Sequence, residues 1–257
     1  MNTSFADIEK KENRKDLIIS ICVFLSGFSC FAQLYYFQPL LPDLAKDFIL
    51  SASESSFAIS FSTLGMVFGL FTTMFVADRI PRKKMIGTGL LSSSIFSVAA
   101  SFSPTFLPLI LLSAAKGFLL SGATSVSMAY IAEEVSSRNK GKIMGLYIAG
   151  NALGGMAGRV ISSWIGALYT WRIASVSIGL ICALFAILFL LFSPRSTNFM
   201  PRKESFHTLI IANLQLITSK ALIPFYLTGG LILGVFIQLP GILSDQSTFQ
   251  FPGTLFI

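Results

Sequence analysis

The stretch Ala77-Asp78-Arg79-Ile80-Pro81-Arg82-Lys83-Lys84 decides the fold of this chain. It places five charges within seven residues, between two runs that carry no charge. Each run, 57–77 and 85–102, is about long enough to cross the hydrocarbon core of a bilayer. The stretch therefore predicts a tight turn at a membrane surface. Four of its charges are cations, which accumulate on the cytoplasmic side, so we predict that this turn faces the cytoplasm.

The composition of the whole chain agrees with a membrane protein. Charged residues make up 12% of 257 residues and hydrophobic residues 53%, with 25 Phe and a mean hydropathy of +0.74. The net charge of +7 is divided into small groups between apolar runs, which excludes a nucleic-acid-binding face. The three cysteines lie in apolar runs without CxxC spacing, so neither a metal nor a disulfide is predicted. No catalytic motif is present, and the chain is predicted to be neither an enzyme nor a cofactor binder.

The order of polar and apolar segments predicts an all-α, polytopic transmembrane bundle. A cytoplasmic N-terminal tail (1–16) precedes a six-helix bundle (17–192), a cytoplasmic linker with an interfacial helix (193–220), a seventh transmembrane helix (221–243) and an atypical tail (244–257). The predicted helices of the bundle are 17–41, 57–77, 85–102, 105–132, 143–168 and 173–192.

The distribution of Lys and Arg predicts the orientation. Fifteen of these residues fall in the N-terminus and alternate loops, and two fall in the intervening loops. Because Lys and Arg mark the cytoplasmic side, we predict a cytoplasmic N-terminus in a bacterial inner membrane.

Two groups of polar residues at membrane depth are candidates for a substrate cavity, because polar groups in a bilayer are costly. In the first helix, Ser26, Ser29, Gln33 and Tyr36 form one stripe at helical spacing. This stripe either lines a water-filled cavity, which we favour for its two larger side chains, or hydrogen-bonds to neighbouring helices.

Lys116 lies about 16 Å along the fourth helix, near the midplane of the bilayer. We expect it to face the cavity, where it would bind anionic cargo or exchange a proton; the alternative is a packing role. Arg159, about 24 Å along the fifth helix, and Asn151 complete the predicted cavity; for Arg159 the alternative is that its side chain snorkels to the outer membrane surface. Every acidic residue lies in a tail, a loop or a helix end, so no carboxylate is predicted at membrane depth.

Three glycines on the fifth helix predict a packing surface. Gly150, Gly154 and Gly158 recur every four residues, which clears a flat strip where another helix can approach closely.

These motifs together resemble the N-terminal half of the major facilitator superfamily, in particular its arabinose-efflux-permease type of drug and sugar antiporter. Residues 77–84 are similar to the family signature between helices two and three, with matches at Asp78, Arg79, Arg82 and Lys83. Residues 36–42 resemble the end of the first helix, residues 150–159 the antiporter motif of helix five, and Trp171-Arg172 the start of helix six.

The resemblance implies a gating role for the charged turn. Asp78 would pair across the cytoplasmic seam, and Arg79 and Arg82 would meet Glu133 or Glu134. Met74 and Pro81 stand where the family has glycine, and Ser113 stands where its fourth helix has an arginine linked to proton coupling.

The resemblance also implies secondary active efflux of a small molecule by proton antiport. Family members need two six-helix halves, so we expect either a second half or a second copy as the partner within the lipid bilayer. The alternative is a truncated chain that inserts into the membrane without transporting.

Overall fold

The computed structural model describes residues 5–201, 219, 222–225 and 227–231. All regular secondary structure in these residues is helical, which confirms the predicted all-α class. The helices are α1 (Phe5–Tyr35), α2 (Leu41–Phe48), α3 (Ala52–Ser55), α4 (Phe57–Val76), α5 (Arg82–Ser101), α6 (Phe106–Glu134), α7 (Lys140–Leu168) and α8 (Trp171–Phe192), with short 3-10 turns at Gln38–Leu40 and Ala77–Arg79.

Three predicted segments lie wholly or mostly outside the described residues. Of the predicted seventh helix, 221–243, residues 223–225 and 227–231 are helical. The predicted interfacial helix and the tail 244–257 fall outside the described part of the chain.

The first helix differs from its prediction at both ends. It begins at Phe5 instead of residue 17, so most of the predicted polar tail is helical. Lys and Glu, which are common in 5–16, are good helix formers and need no bilayer to form a helix. It ends at Tyr35 instead of residue 41, because Pro39 has no N–H to donate to the carbonyl of Tyr35. Pro42 is then accommodated in the first turn of α2, where a missing N–H costs nothing.

The six long helices pack in one continuous series, in the order α4, α6, α5, α8, α1 and α7. A smaller contact joins α6 to α1, the helices next to the two ends of this series. At the ends, α4 packs mainly on α6 and α7 mainly on α1. One side of each of these helices therefore carries exposed apolar residues, such as Phe68 on α4 and Trp164 on α7.

Four stretches in the described residues are long and apolar enough to cross a membrane: Glu12–Phe48, Ala52–Arg79, Phe106–Glu134 and Trp171–Phe192. The helices α5 and α7 are equally long, but their serines and glycines lower their hydropathy. These small residues are buried against neighbouring helices, as Ser93, Ser97 and Gly154 show.

Glycines set the distance between α1 and α7. A Cβ atom added at Gly150, Gly154 or Gly158 would lie 2.2–2.8 Å from backbone atoms of Phe24, Phe28 or Ala32 on α1. No side chain fits at such distances, so the predicted packing strip is where the two backbones meet. The contact of α4 with α6 follows the same rule, because a Cβ at Gly117 would lie 1.8 Å from the carbonyl oxygen of Ser62.

We expect Gly154→Val to destabilise the bundle. Its Cβ would meet the Phe28 carbonyl oxygen at 2.2 Å, which forces α1 and α7 apart at a cost of about 1–3 kcal/mol or more. The matched control is Gly145→Val on the same helix, where an added Cβ meets nothing within 4 Å. Thermal unfolding of the purified variants in detergent measures the difference. Equal melting temperatures for the two variants would contradict the close contact.

Candidate functional site

The charged turn between α4 and α5 forms an ionic cluster with the end of α6. Arg82 is 8% exposed, and its guanidinium donates to Asp78 Oδ1 at 2.9 Å and to Glu133 Oε1 at 3.1 Å. It also donates to the carbonyl oxygen of Ala77 at 2.6 Å. We call Asp78, Arg82 and Glu133 the gate cluster. One buried arginine thus ties the α4–α5 turn to α6.

The electrostatics of the gate cluster favour the charged arginine. Burial opposes the charged form of Arg82, but the hydrogen bonds and charges of Glu133 and Asp78 outweigh burial and raise its pKa above the ordinary value. Asp78 keeps 40% of its side chain exposed, so it has room for a further partner.

The remaining predicted gating residues have other positions. Arg79 is exposed, and Glu134 bonds to Lys15 of α1 at 2.9 Å instead of to the turn. Glu134 is also held by the hydroxyl of Thr197 at 2.9 Å and by the backbone N–H of Asn198 at 2.8 Å. The two adjacent glutamates therefore fix different partners to the same end of α6.

The segment that follows α8 covers this end of the bundle. We call residues 193–199 the strap. The ammonium group of Lys83 donates to the carbonyl of Ser193, and the hydroxyl of Tyr130 bonds to Ser193 Oγ at 2.8 Å. The centre of the Phe199 ring lies 5.0 Å from the guanidinium carbon of Arg82. The strap thus joins α5, α6 and the gate cluster. No periodic pattern predicts these contacts, since the strap is neither apolar nor helical.

A further contact at this end was not predicted. Asp16 on α1 is buried and accepts hydrogen bonds from Ser136 Oγ and from Asn139 Nδ2, the latter at 2.8 Å. It thus fixes the loop between α6 and α7. Its only sequence signal is an acidic residue at the point where the polar N-terminal region meets the apolar run.

The opposite end of the bundle has its own ionic contact. Asp47 of α2 accepts from the indole N–H of Trp171 at 2.9 Å and from Arg172. These two hydrogen bonds lower the pKa of Asp47. Arg172 also donates to the carbonyl of Ser103 at 3.3 Å, so α2, the α5–α6 loop and α8 are joined.

The predicted polar stripe on α1 is an interior contact, and its prediction as the wall of an open cavity is wrong for this six-helix unit. Ser26, Ser29, Gln33 and Tyr36 are each at most 2% exposed. A side chain sealed within six helices cannot face an opening between those helices and a partner. Its burial follows from the packing of α1 against both α7 and α8.

The stripe hydrogen-bonds to neighbouring helices, the alternative that the sequence left open. Gln33 Oε1 accepts from Ser97 Oγ at 3.1 Å, and the Tyr36 hydroxyl shares a hydrogen bond of 2.8 Å with Ser175 Oγ. Ser29 Oγ donates to the carbonyl of Cys182 at 3.3 Å. The serines on α5 and α8 carry no charge and share no motif, which is why the sequence did not pair them with α1.

Lys116 is beside Tyr36 as predicted, but it is not on an open cavity. It is 1% exposed, with its Nζ 4.5 Å from the centre of the Tyr36 ring and 4.8 Å from that of Phe37. Both rings present π faces to the ammonium, an attractive arrangement for a cation.

The other two predicted cavity residues are half-buried on α7. Arg159 donates to Gln38 Oε1, and its guanidinium carbon lies 4.6 Å from the Tyr35 ring centre. Asn151 Oδ1 lies 2.3 Å from the position of a Cβ at Gly27, so it packs on α1 where only glycine fits. Both residues therefore contact the side of α1 that faces α7.

Comparison with known proteins identifies the family of the chain. A model of the Major Facilitator Superfamily matches residues 20–257, and the chain belongs to that superfamily. An uncharacterized transporter of Buchnera aphidicola subsp. Schizaphis graminum is 35% identical over 232 residues, which are 90% of this chain and 56% of that protein. The inner membrane transport protein YnfM of Escherichia coli K12 is 35% identical over 222 residues, 86% of this chain and 53% of that protein.

A solved structure shares the fold. The proton:xylose symporter XylE, bound to 6-bromo-6-deoxy-D-glucose, matches with a TM-score of 0.66 and 15% identity, over 84% of this chain and 52% of that chain. The chain thus spans about half the length of the relatives it matches. It is an integral membrane protein of the transporter superfamily, and it is not an enzyme.

We expect Arg82→Gln to destabilise the chain more than Arg79→Gln. Loss of the Arg82 guanidinium leaves Glu133 and Asp78 without their shared partner, at about 1–3 kcal/mol. Both carboxylates are partly exposed, so solvent screening places the cost toward the lower value. Arg79 is the matched control, because it is exposed in the same turn. The comparison uses melting temperatures of the purified variants in detergent. An equal decrease in the melting temperature of both variants would show that the contacts of Arg82 with Asp78 and Glu133 do not stabilise the chain.

Proposed function

We propose that this chain forms the N-terminal six-helix half of a secondary active transporter that exports a small molecule by proton antiport. It acts in a bacterial inner membrane with its N-terminus in the cytoplasm, and a second six-helix half, or a second copy, completes the pathway. The gate cluster is the observation that carries this proposal. It is an ionic cluster at one end of a bundle whose outermost helices expose apolar faces.

The geometry of the gate cluster supports a conformational role. Arg82 is held from both sides, but Asp78 remains 40% exposed. A partner half that approaches this end of the bundle would find a carboxylate already fixed by one arginine. Making and breaking that contact during rocking of two halves would alternate access to a site between them.

The proton-exchanging group of the antiport is proposed to lie in the completing half. The acidic residues of this chain lie outside the apolar runs of its sequence. Lys116, the alternative group, is sealed inside the bundle with 1% exposure. A sealed group does not exchange protons with water from either side in this conformation. Exposed residues of this six-helix unit, instead of the buried α1 stripe, would then line the cavity between the two halves.

Transport measured in everted membrane vesicles tests this function. Vesicles from cells that express the chain, alone and together with the second half of YnfM, are energised, and arabinose or ethidium is added. Substrate-driven proton movement, followed by acridine fluorescence and abolished by a protonophore, is the expected result for one of these probes. If the chain inserts but moves neither probe in either setting, the alternative of a non-transporting membrane protein is supported.

In the vesicle preparation that transports a probe, we expect Asp78→Asn to reduce the transport rate at least several-fold with unchanged membrane insertion. The neutral amide cannot form the ionic contact between the two halves. Asp43→Asn on α2, far along the chain from the gate cluster, is the control that should keep the rate. Wild-type transport by Asp78→Asn would reduce the charged turn to a topology signal.

The orientation has a separate test. With the three native cysteines replaced by alanine, Ser53→Cys should react with a membrane-impermeant maleimide added outside the cell, and Ser137→Cys should not. Both serines are exposed, so burial does not limit the reaction. The reversed pattern would overturn the cytoplasmic N-terminus.

A further inference from the structure

Several buried polar atoms in the described part of the chain have no hydrogen-bond partner there, and four of them are on α1, α4 and α6. These four are Lys116 Nζ, Ser113 Oγ, Ser62 Oγ and Gln33 Nε2. Each residue is at most 1% exposed. An unpaired buried donor destabilises a fold, and an uncompensated buried charge destabilises it more, so four such groups together require an explanation.

The helix contacts bring three of these groups to one level of the bundle. Ser113 and Lys116 are three residues apart, which places them on the same face of α6. Next to Lys116, Gly117 is so close to α4 that an added Cβ would lie 1.8 Å from the carbonyl oxygen of Ser62. The buried Ser62 is therefore the α4 residue that meets α6 at the level of Lys116.

Gln33 reaches the same level from α1. Along α1, Cys30 Sγ contacts the Leu120 carbonyl oxygen at 3.9 Å, and the Tyr36 ring contacts Lys116. Residue numbers along the contact rise on α1 while they fall on α6, so the two helices are antiparallel here. Gln33 is halfway between the two contacting α1 residues and on the same face. Gln33 is therefore beside the turn of α6 between Lys116 and Leu120.

The chemistry of this group of side chains favours an acceptor. An ammonium and an amide N–H₂ can only donate hydrogen bonds, and the two hydroxyls can donate as well as accept. The acceptor of Gln33, its Oε1 atom, is already used by Ser97. No ion pair to Lys116 is found among the described residues, and the rings of Tyr36 and Phe37 offer only their π faces. An acceptor with a negative charge would therefore compensate the ammonium and could also take hydrogen bonds from the other three groups.

We propose that a small inorganic anion, represented by chloride, binds between Lys116, Ser113, Ser62 and Gln33 inside this six-helix unit. The anion balances the charge of Lys116 and accepts from the hydroxyl and amide groups. Water alone would satisfy the hydroxyls but would leave the ammonium charge uncompensated in a medium of low polarity. The anion stabilises the contact of α1, α4 and α6, and this role does not depend on which substrate the transporter moves or in which direction.

Binding of radioactive chloride to the purified full chain in detergent tests the proposal, together with its melting temperature in potassium chloride and potassium gluconate at equal ionic strength. We expect saturable chloride binding and a melting temperature that rises with chloride but not with gluconate. Lys116→Met should abolish both effects. Lys142→Met, which removes an exposed lysine from α7, should keep both and is the matched control.

A second variant keeps the test decisive if Lys116→Met does not fold. Ser113→Ala removes one donor and keeps the charge, and we expect it to weaken chloride binding about tenfold, since a hydrogen bond to an ion is worth about 1.5–3 kcal/mol. Absence of bound chloride in the folded wild type, with equal melting in both salts, would show that only water fills the site. Equal chloride binding by Lys116→Met and Lys142→Met would likewise overturn the proposal.

Discussion

Close approach of helix backbones is the constraint on which this structure depends. Within a bilayer, lipid tails are as apolar as leucine, so helices gain little by burying apolar side chains against each other. The bundle gains contact by removing side chains at its tightest points: Gly154 against Phe28 on α1, and Gly117 against Ser62 on α4. Once the backbones are close, short serine side chains reach across, as Ser97 does to Gln33.

The same constraint explains why uncharged and charged polar residues have different places in the bundle. In the interior, uncharged hydrogen bonds such as that of Tyr36 with Ser175 connect helices. The ionic contacts lie at the two ends of the bundle, where water lowers the cost of charge: Arg82 with Glu133 at one end and Asp47 with Arg172 at the other. Movement of the ends relative to a partner is therefore compatible with a rigid middle, which is what rocking of two halves requires.

The sequence predicted the long helices and their class because charge and hydropathy act locally. The charged turn at Arg82 and the glycine strip around Gly154 were recognisable for the same reason. Which way a polar side chain points was not predictable: Gln33 and Tyr36 were expected to line a cavity, yet both are sealed. The partners that seal them, Ser97 and Ser175, lie on helices far along the chain and carry no charge or motif. Spacing defines the face of a helix, but only the neighbouring helices decide what that face meets.

The polar stripe of α1 lies inside the six-helix unit, where neighbouring helices seal it from water. Reactivity of Gln33→Cys with a charged methanethiosulfonate, in membranes that contain the chain with its native cysteines replaced by alanine, tests this claim most directly. The exposed Ser137→Cys sets the full reaction rate. Burial predicts that Gln33→Cys stays unmodified while Ser137→Cys reacts completely. Modification of Gln33→Cys at a comparable rate would show that water reaches the stripe and would contradict the claim.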